Sequence, residues 1–363
     1  MADTTDPKTE APQAEKGRSP SGSPPPAQPN PDGILPAEHW AQVPQEEEDI
    51  GDGDSALGAF SDSTASISSS ILQYRTLHGR TYHSERGNAQ YWGANDEDQK
   101  ESMDIAHHTF LLAFDGKLYL APLKEENLDK VLDIGTGTGI WAIDFADAHP
   151  QATVIGTDVS PIQTTWVPPN LRFEIEDCTL DWTFAPSSFS YIHMRFLLGS
   201  IDDWDALLRR AFDTCKPGGY VESIEPSPFL ESDDGTITDT MAMGQWGKIF
   251  VEGGRRFGRS FEVYQLGTVR KAMEKAGFVD IEERNDKVPV GGWPKDPKLK
   301  EIGQFSQLGF LRDPEGYVLF LANALGWKRE EIGLYLAHLR RELKSPRVHG
   351  FYRQRVLWGR KPE

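Results

Sequence analysis

The sequence predicts an α/β protein whose largely parallel sheet is covered by helices on both faces. Three observations carry that prediction. Between residues 130 and 225, short apolar strands alternate with helical stretches. The first strand runs straight into a glycine loop, VLDIGTGTGI at 131–140. Acidic residues then stand at or near the carboxyl ends of the first three strands, as Asp133, Asp158 and Asp177.

Residues 1–70 differ from the rest. They hold 10 of the 25 prolines, the acidic run EEED at 46–49 and the serine-rich stretch SDSTASISSS at 61–70. With no hydrophobic periodicity, such a segment is expected to bury too little apolar surface to offset its ordering entropy, and to stay disordered. It carries 3 basic and 13 acidic residues of a chain whose net charge is −18. Neither part has the basic balance of a nucleic-acid binder, so no direct nucleic-acid contact is expected. There is no run long enough for a membrane span and no secretory signal. Two cysteines, Cys178 and Cys215, fit a reducing compartment. A cytoplasmic or nuclear location is expected, not a secreted one.

Organised sequence begins near residue 71. Residues 96–114 show helical spacing through Met103, Ala106, Phe110 and Phe114. Strands are expected at 130–134, 153–158, 171–176, 189–194 and 220–225, with helices over 139–148 and 203–215. Residues 71–125 thus read as an N-terminal lid and 126–225 as a cofactor-binding core. Beyond 226 helices dominate, at 237–252, 263–276, 297–310, 316–325 and 328–344. VDIEERNDKVPV at 279–290 interrupts them, so 226–348 reads as a cap with interspersed core elements. A β-rich terminal run follows within 349–363.

The loop's spacing narrows its ligand. A dinucleotide loop would place a third glycine where Ile140 stands, and a P-loop would need a lysine. The pattern is instead Gly135, Gly137, Gly139, with Thr136 between. A carboxylate at Asp133, about 5 Å from a phosphate, would cost about 3 kcal/mol at an effective dielectric near 20. An ammonium suits it better, and S-adenosyl-L-methionine has one. Asp158, followed by Val159, is then placed to accept both ribose hydroxyls. Asp177 is placed to accept from the adenine amino group, with Cys178 and Met194 flanking the ring. No metal site is expected.

The stretch VLDIGTGTGIWAIDFADAHPQATVIGTDVSPIQTTWVPPNLRFEIEDCTLDWTF resembles the cofactor half of the fungal LaeA-like class I methyltransferases. The likeness extends to Gly79-Arg80-Thr81-Tyr82-His83, Asn95-Asp96, His107-His108, DGKLYLAPL and WPKDPKLKEIG, and so covers roughly residues 71–363. It implies a seven-stranded Rossmann-like class I methyltransferase sheet with an N-terminal helical lid and a helical cap insertion. It also implies that Tyr74, Tyr82 and His83 approach the methionine end of the cofactor. Leu77 and Ala94 depart from the family pattern, which bears on the lid's substrate contacts.

The function expected is methyl transfer from S-adenosylmethionine to a small molecule of secondary metabolism. The alternative is a regulator of secondary metabolism and development that binds the same cofactor and acts through protein partners, contacted by tail or cap. Positioning does most of the work in such a reaction. A base is needed only if the acceptor must lose a proton, and His193 and His83 are the candidates. Trp246, Phe250, Phe257, Trp293, Phe305 and Phe310 are the aromatic residues available to line an acceptor pocket.

Overall fold

The computed structural model describes residue 1 and residues 33–43, 74–84 and 91–363, so most of the expected tail lies outside the described residues. The exception departs from expectation. Residues 33–43 include a short helix, α1 (His39–Gln42), and pack onto the fold with Ile34, Leu35 and Trp40 buried. Three large apolar side chains within seven positions supply the burial that the surrounding polar sequence lacks.

A small hairpin of β1 (Arg75–Leu77) and β2 (Arg80–Tyr82) leads to α2 (Glu97–Ala113). The core follows as β3 (Lys130–Ile134), α3 (Ile140–Ala148), β4 (Thr153–Asp158), β5 (Leu171–Ile175), β6 (Phe189–Arg195), α4 (Trp204–Thr214) and β7 (Cys215–Glu231). Then come α5 (Ala242–Arg256), α6 (Val263–Leu266), α7 (Thr268–Ala276), β8 (Val279–Val290), α8 (Pro297–Arg312), α9 (Pro314–Ala324), α10 (Arg329–Lys344) and β9 (Gly350–Arg360). Strand order in the seven-stranded sheet is β5-β4-β3-β6-β7-β9-β8, with β9 running antiparallel to the other six. This is the Rossmann-like class I methyltransferase sheet that the resemblance implies. The chain runs outward from β3 through β4 to β5 and then crosses back to lay β6 on the other side of β3, so a ligand crevice opens at the carboxyl ends where the order reverses.

Three elements differ from the sequence reading. The interruption at 279–290 is an edge strand, β8, whose alternating polar residues face solvent while Val288 and Val290 are buried. β7 continues past residue 225 because β9 pairs with it as far as Glu231. The helix expected over 263–276 breaks at Gly267, which adopts φ +61°. Helices α5, α8, α9 and α10 pack on one another, α5 also against β7 and α8 against α2 and β8, and Ile332, Tyr335, Leu336 and Leu339 of α10 are buried within the fold. Among the described residues no helix is long and apolar enough to cross a membrane.

Candidate functional site

The carboxyl ends of β3, β4, β5 and β6 open into a cavity roofed by one face of α2. Asn95, Gln99, Met103, Ala106 and Phe110 line that roof at helical spacing. Several buried polar atoms in the lining have no protein partner: the side-chain amide of Asn95, Gln99 Oε1, Ser160 Oγ, Asp177 Oδ2 and Ser200 Oγ. Leaving such atoms unpaired costs on the order of 1–3 kcal/mol each, so their convergence marks a polar ligand site.

Seven sequence-predicted residues line the cavity: Gly135, Thr136, Gly137, Asp158, Val159, Asp177 and Cys178. Asp158 holds the glycine loop as well as facing the cavity. Its Oδ2 accepts from the Gly137 N–H at 2.9 Å and its Oδ1 from the Ser160 N–H at 2.9 Å. Asp177 binds Thr179 through Oδ1 alone, leaving Oδ2 free. Burial pushes the Cys178 thiol up to about 12, so it stays a neutral, soft contact.

Four predicted residues are not in the lining. Asp133 is buried beneath the loop, its Oδ1 accepting from His193 Nδ1 at 2.7 Å and its Oδ2 from Thr136 Oγ1 at 2.5 Å. It therefore meets no ammonium directly; it braces the loop instead. Gly139 caps α3 at φ +84°, and a Cβ there would lie 2.3 Å from the Phe173 ring, so its glycine serves turn and packing. Met194 and Tyr82 are core side chains, the latter packed on Phe320.

The expected bases are occupied as well. His193 is stacked on Trp141 at 3.8 Å and held by Asp133, and burial lowers its pKa. His83 accepts the Tyr91 N–H on Nε2 at 2.9 Å, and burial with Arg75 nearby lowers it to about 4. The Gly-Arg-x-Tyr-His element is thus structural. Arg80 reaches Asp96 and Asp313, the N-cap residues of α2 and α9. Tyr74 does sit near the cavity, where burial and the Asp158 charge raise its hydroxyl pKa.

Residues missed from sequence include Arg195, Tyr91, Trp92, Phe196 and Tyr317. Arg195 is the last residue of β6, and that position at a strand's carboxyl end is the signal that was available. Its guanidinium donates to His107 Nδ1 at 3.2 Å and lies over the Phe110 ring. His107 therefore carries its proton on Nε2, which faces Asp144 at 2.9 Å. Among the described residues no carboxylate pairs with Arg195, and burial lowers its pKa to about 10. Phe196 adopts φ +58°, and the N–H groups after it, of Leu197 and Leu198, donate to Glu225 at 3.0 and 2.9 Å. Glu225 thereby holds a strained turn against the cavity.

A methyltransferase-domain family model matches residues 105–283. The chain is 35% identical over 302 residues to methyltransferase pytC of Aspergillus terreus, covering 83% of this chain and 92% of that protein. It is 34% identical over 292 residues to the secondary metabolism regulator LAE1 of Cochliobolus heterostrophus, covering 79% and 94%. Identity to the probable methyltransferase tdiE of Emericella nidulans is 31% over 267 residues, covering 73% and 82%. The chain belongs to the LaeA-like family of class I methyltransferases. It is an S-adenosylmethionine-dependent methyltransferase.

The donor set of this LaeA-like site fits that cofactor. Loop amides, two acceptor carboxylates, a spare cation and unpaired amide and hydroxyl groups match its ribose, adenine and amino-acid ends. Asp158 gives the fit a pH signature. Burial, only partly offset by the loop amides, pushes its carboxyl up to about 6. Protonation would remove a carboxylate acceptor from the cavity wall. Affinity for S-adenosylhomocysteine is therefore expected to be flat above pH 7 and to fall, by up to about tenfold per unit, below pH 6. Calorimetric titrations from pH 5 to 8 read this directly; constant affinity down to pH 5 would remove Asp158 from the site.

Proposed function

We propose that the protein methylates an uncharged, largely apolar small molecule of secondary metabolism. The observation that carries this reading is a second cavity under the cap, lined by Trp246, Phe250, Phe310 and Tyr352 among others. It adjoins the first across a collar of Trp92, Ala106, Phe196 and Tyr317, which line both. Among the described residues, its lining holds hydroxyls but no acidic, basic or histidine side chain. Burying a charged acceptor there would be costly, whereas a flat apolar one gains area and ring contacts. Of the six aromatic residues named from sequence, Trp246, Phe250 and Phe310 line it, and Phe257, Trp293 and Phe305 do not. Relatives named as a methyltransferase and as a secondary metabolism regulator support the metabolic context.

In this reading Asp158 takes the ribose hydroxyls, the free Oδ2 of Asp177 takes the adenine amino group, and Val159 and Cys178 flank the ring. Arg195 takes the cofactor carboxylate. The cofactor supplies an electrophilic methyl group on a positively charged sulfur. The chain's part is to align donor and acceptor across the collar and keep water out, with aromatic faces favourable to a cation. With His193 and His83 committed elsewhere, the acceptor is one that needs no histidine base.

Arg195→Met is expected to weaken S-adenosylhomocysteine binding roughly 10–100-fold, the worth of a charge-assisted hydrogen bond. 5′-Methylthioadenosine, which lacks the amino-acid end, is expected to bind wild type and variant alike. Equal losses for both ligands would contradict the assignment.

The whole reading is tested with methyl-labelled cofactor, offered with either a low-molecular-weight metabolite fraction or a protein fraction. Label is expected in organic-soluble small molecules. Label confined to protein would favour the regulatory alternative, which the LAE1 likeness keeps in view.

A further inference from the structure

The docked segment 33–43 sits in a groove between α5 and α10 that is built to hold a peptide. Trp40 is buried with its ring 5.1 Å from Tyr335 and 5.8 Å from His338. Ile34 and Leu35 fill the other end. Among the described residues, the polar contacts to the segment address its main chain. The buried Gln245 accepts from the Leu35 N–H at 2.9 Å and donates to the Gly33 carbonyl at 3.3 Å. Lys248 Nζ donates to that same carbonyl at 3.2 Å. At the far end His338 Nε2 donates to the Trp40 carbonyl at 3.1 Å, its other nitrogen accepting from Arg341. Apolar pockets for alternate anchors, with side chains reading the backbone, are how proteins recognise short peptides.

The groove shares a helix with the second cavity. Gln245 and Lys248 of α5 hold the segment, while Trp246 and Phe250 of the same helix line the cavity. Trp246 and Phe250 pack against each other with their rings tilted by 37°, and Phe250 meets Trp92 of the collar edge-on at 5.4 Å. Anything that orders or frees one face of α5 acts on the other.

We propose that the α5–α10 groove is a peptide-recognition surface, filled by this chain's own residues 33–43, whose occupancy sets the acceptor-cavity wall. The ligand class is a peptide with an aliphatic pair followed five residues later by tryptophan, as Ile34-Leu35 and Trp40 stand here. The link to the acceptor rests on the reading that the second cavity binds it.

The test uses the full-length protein and a fluorescent peptide of residues 33–43. In Trp40→Ala the chain's own segment loses its anchor and vacates the groove. That variant is expected to bind the peptide at least tenfold more tightly than wild type, whose groove is filled. Hydrogen exchange across α5 is expected to rise at least tenfold in the variant and to return toward wild type when peptide is added. S-adenosylhomocysteine affinity is expected to stay within twofold, which shows that the variant is folded. Should Trp40→Ala lose that affinity, Leu35→Ser carries the same readouts. A folded variant that ignores the peptide, or whose α5 exchange is unchanged, would overturn the proposal. Unfolding of both variants would overturn it too, by making residues 33–43 a permanent part of the core. Failure of wild type to bind S-adenosylhomocysteine would sink the cofactor reading and leave the peptide result standing.

Discussion

Gly137→Asp is expected to weaken S-adenosylhomocysteine binding by roughly 10³-fold while leaving the fold intact. Gly137 adopts φ +59°, where a residue with a Cβ is strained by roughly 1–2 kcal/mol. A Cβ there meets only Met103 Sδ at 3.6 Å, so the side chain enters the cavity rather than the core. The new carboxylate would stand near Asp158, which already accepts the Gly137 N–H. Two like charges about 5 Å apart repel by about 3 kcal/mol at an effective dielectric near 20. The free variant relieves these costs by shifting the loop and its new side chain, and cofactor binding must restore the strained arrangement, so up to about 4–5 kcal/mol, or about three powers of ten in affinity, is lost. Calorimetry reads the loss, and circular dichroism checks the fold. Wild-type affinity in this variant would mean that the glycine loop is not the cofactor's seat.

Arg80→Ala has the largest expected effect on stability. The Arg80 guanidinium is 14% exposed and joins Asp96 to Asp313. Each aspartate also caps a helix, accepting from the Gln99 and Gly316 N–H groups respectively. Removing the cation leaves two carboxylates facing each other at the junction of hairpin, lid and cap. Breaking such a buried pair costs about 3–5 kcal/mol, a melting point lower by on the order of 10 °C. Arg80→Lys is expected to recover only part, because an ammonium cannot fork to both partners. A loss below about 1 kcal/mol in Arg80→Ala would show that the ion cluster is not what joins these elements.

The parts legible in the sequence were those encoded locally. A strand, a tight glycine loop and a helix announce themselves within ten residues. Acids at successive strand ends share one sheet edge because parallel strands must, and Asp158 and Asp177 accordingly face one cavity. Asp133 was misread because its partner His193 lies sixty positions away and only β3–β6 pairing brings them together. Tyr82 and His83 looked like cofactor contacts for the same reason: Phe320 and Tyr91, which engage them, are placed by the tertiary fold. Strand β8 was hidden by a solvent-facing edge rich in charge. Residues 33–43 were hidden by their surroundings, since composition averages away a single Ile-Leu pair and a tryptophan.

Arg195 ends its strand as Asp158 ends β4, so its place at the sheet edge is a local signal of the same kind. The collar carries no such signal. Trp92, Ala106, Phe196 and Tyr317 come from four separate parts of the chain and share a function only through position.

The central claim is that the crevice between the glycine loop and α2 binds S-adenosylmethionine. The most direct measurement is calorimetric titration of the full-length protein with S-adenosylhomocysteine and, separately, NAD, in wild type and Asp177→Ala. Micromolar, one-to-one binding of S-adenosylhomocysteine is predicted, at least tenfold weaker in Asp177→Ala, with no binding of NAD. Micromolar NAD binding without S-adenosylhomocysteine binding would contradict it.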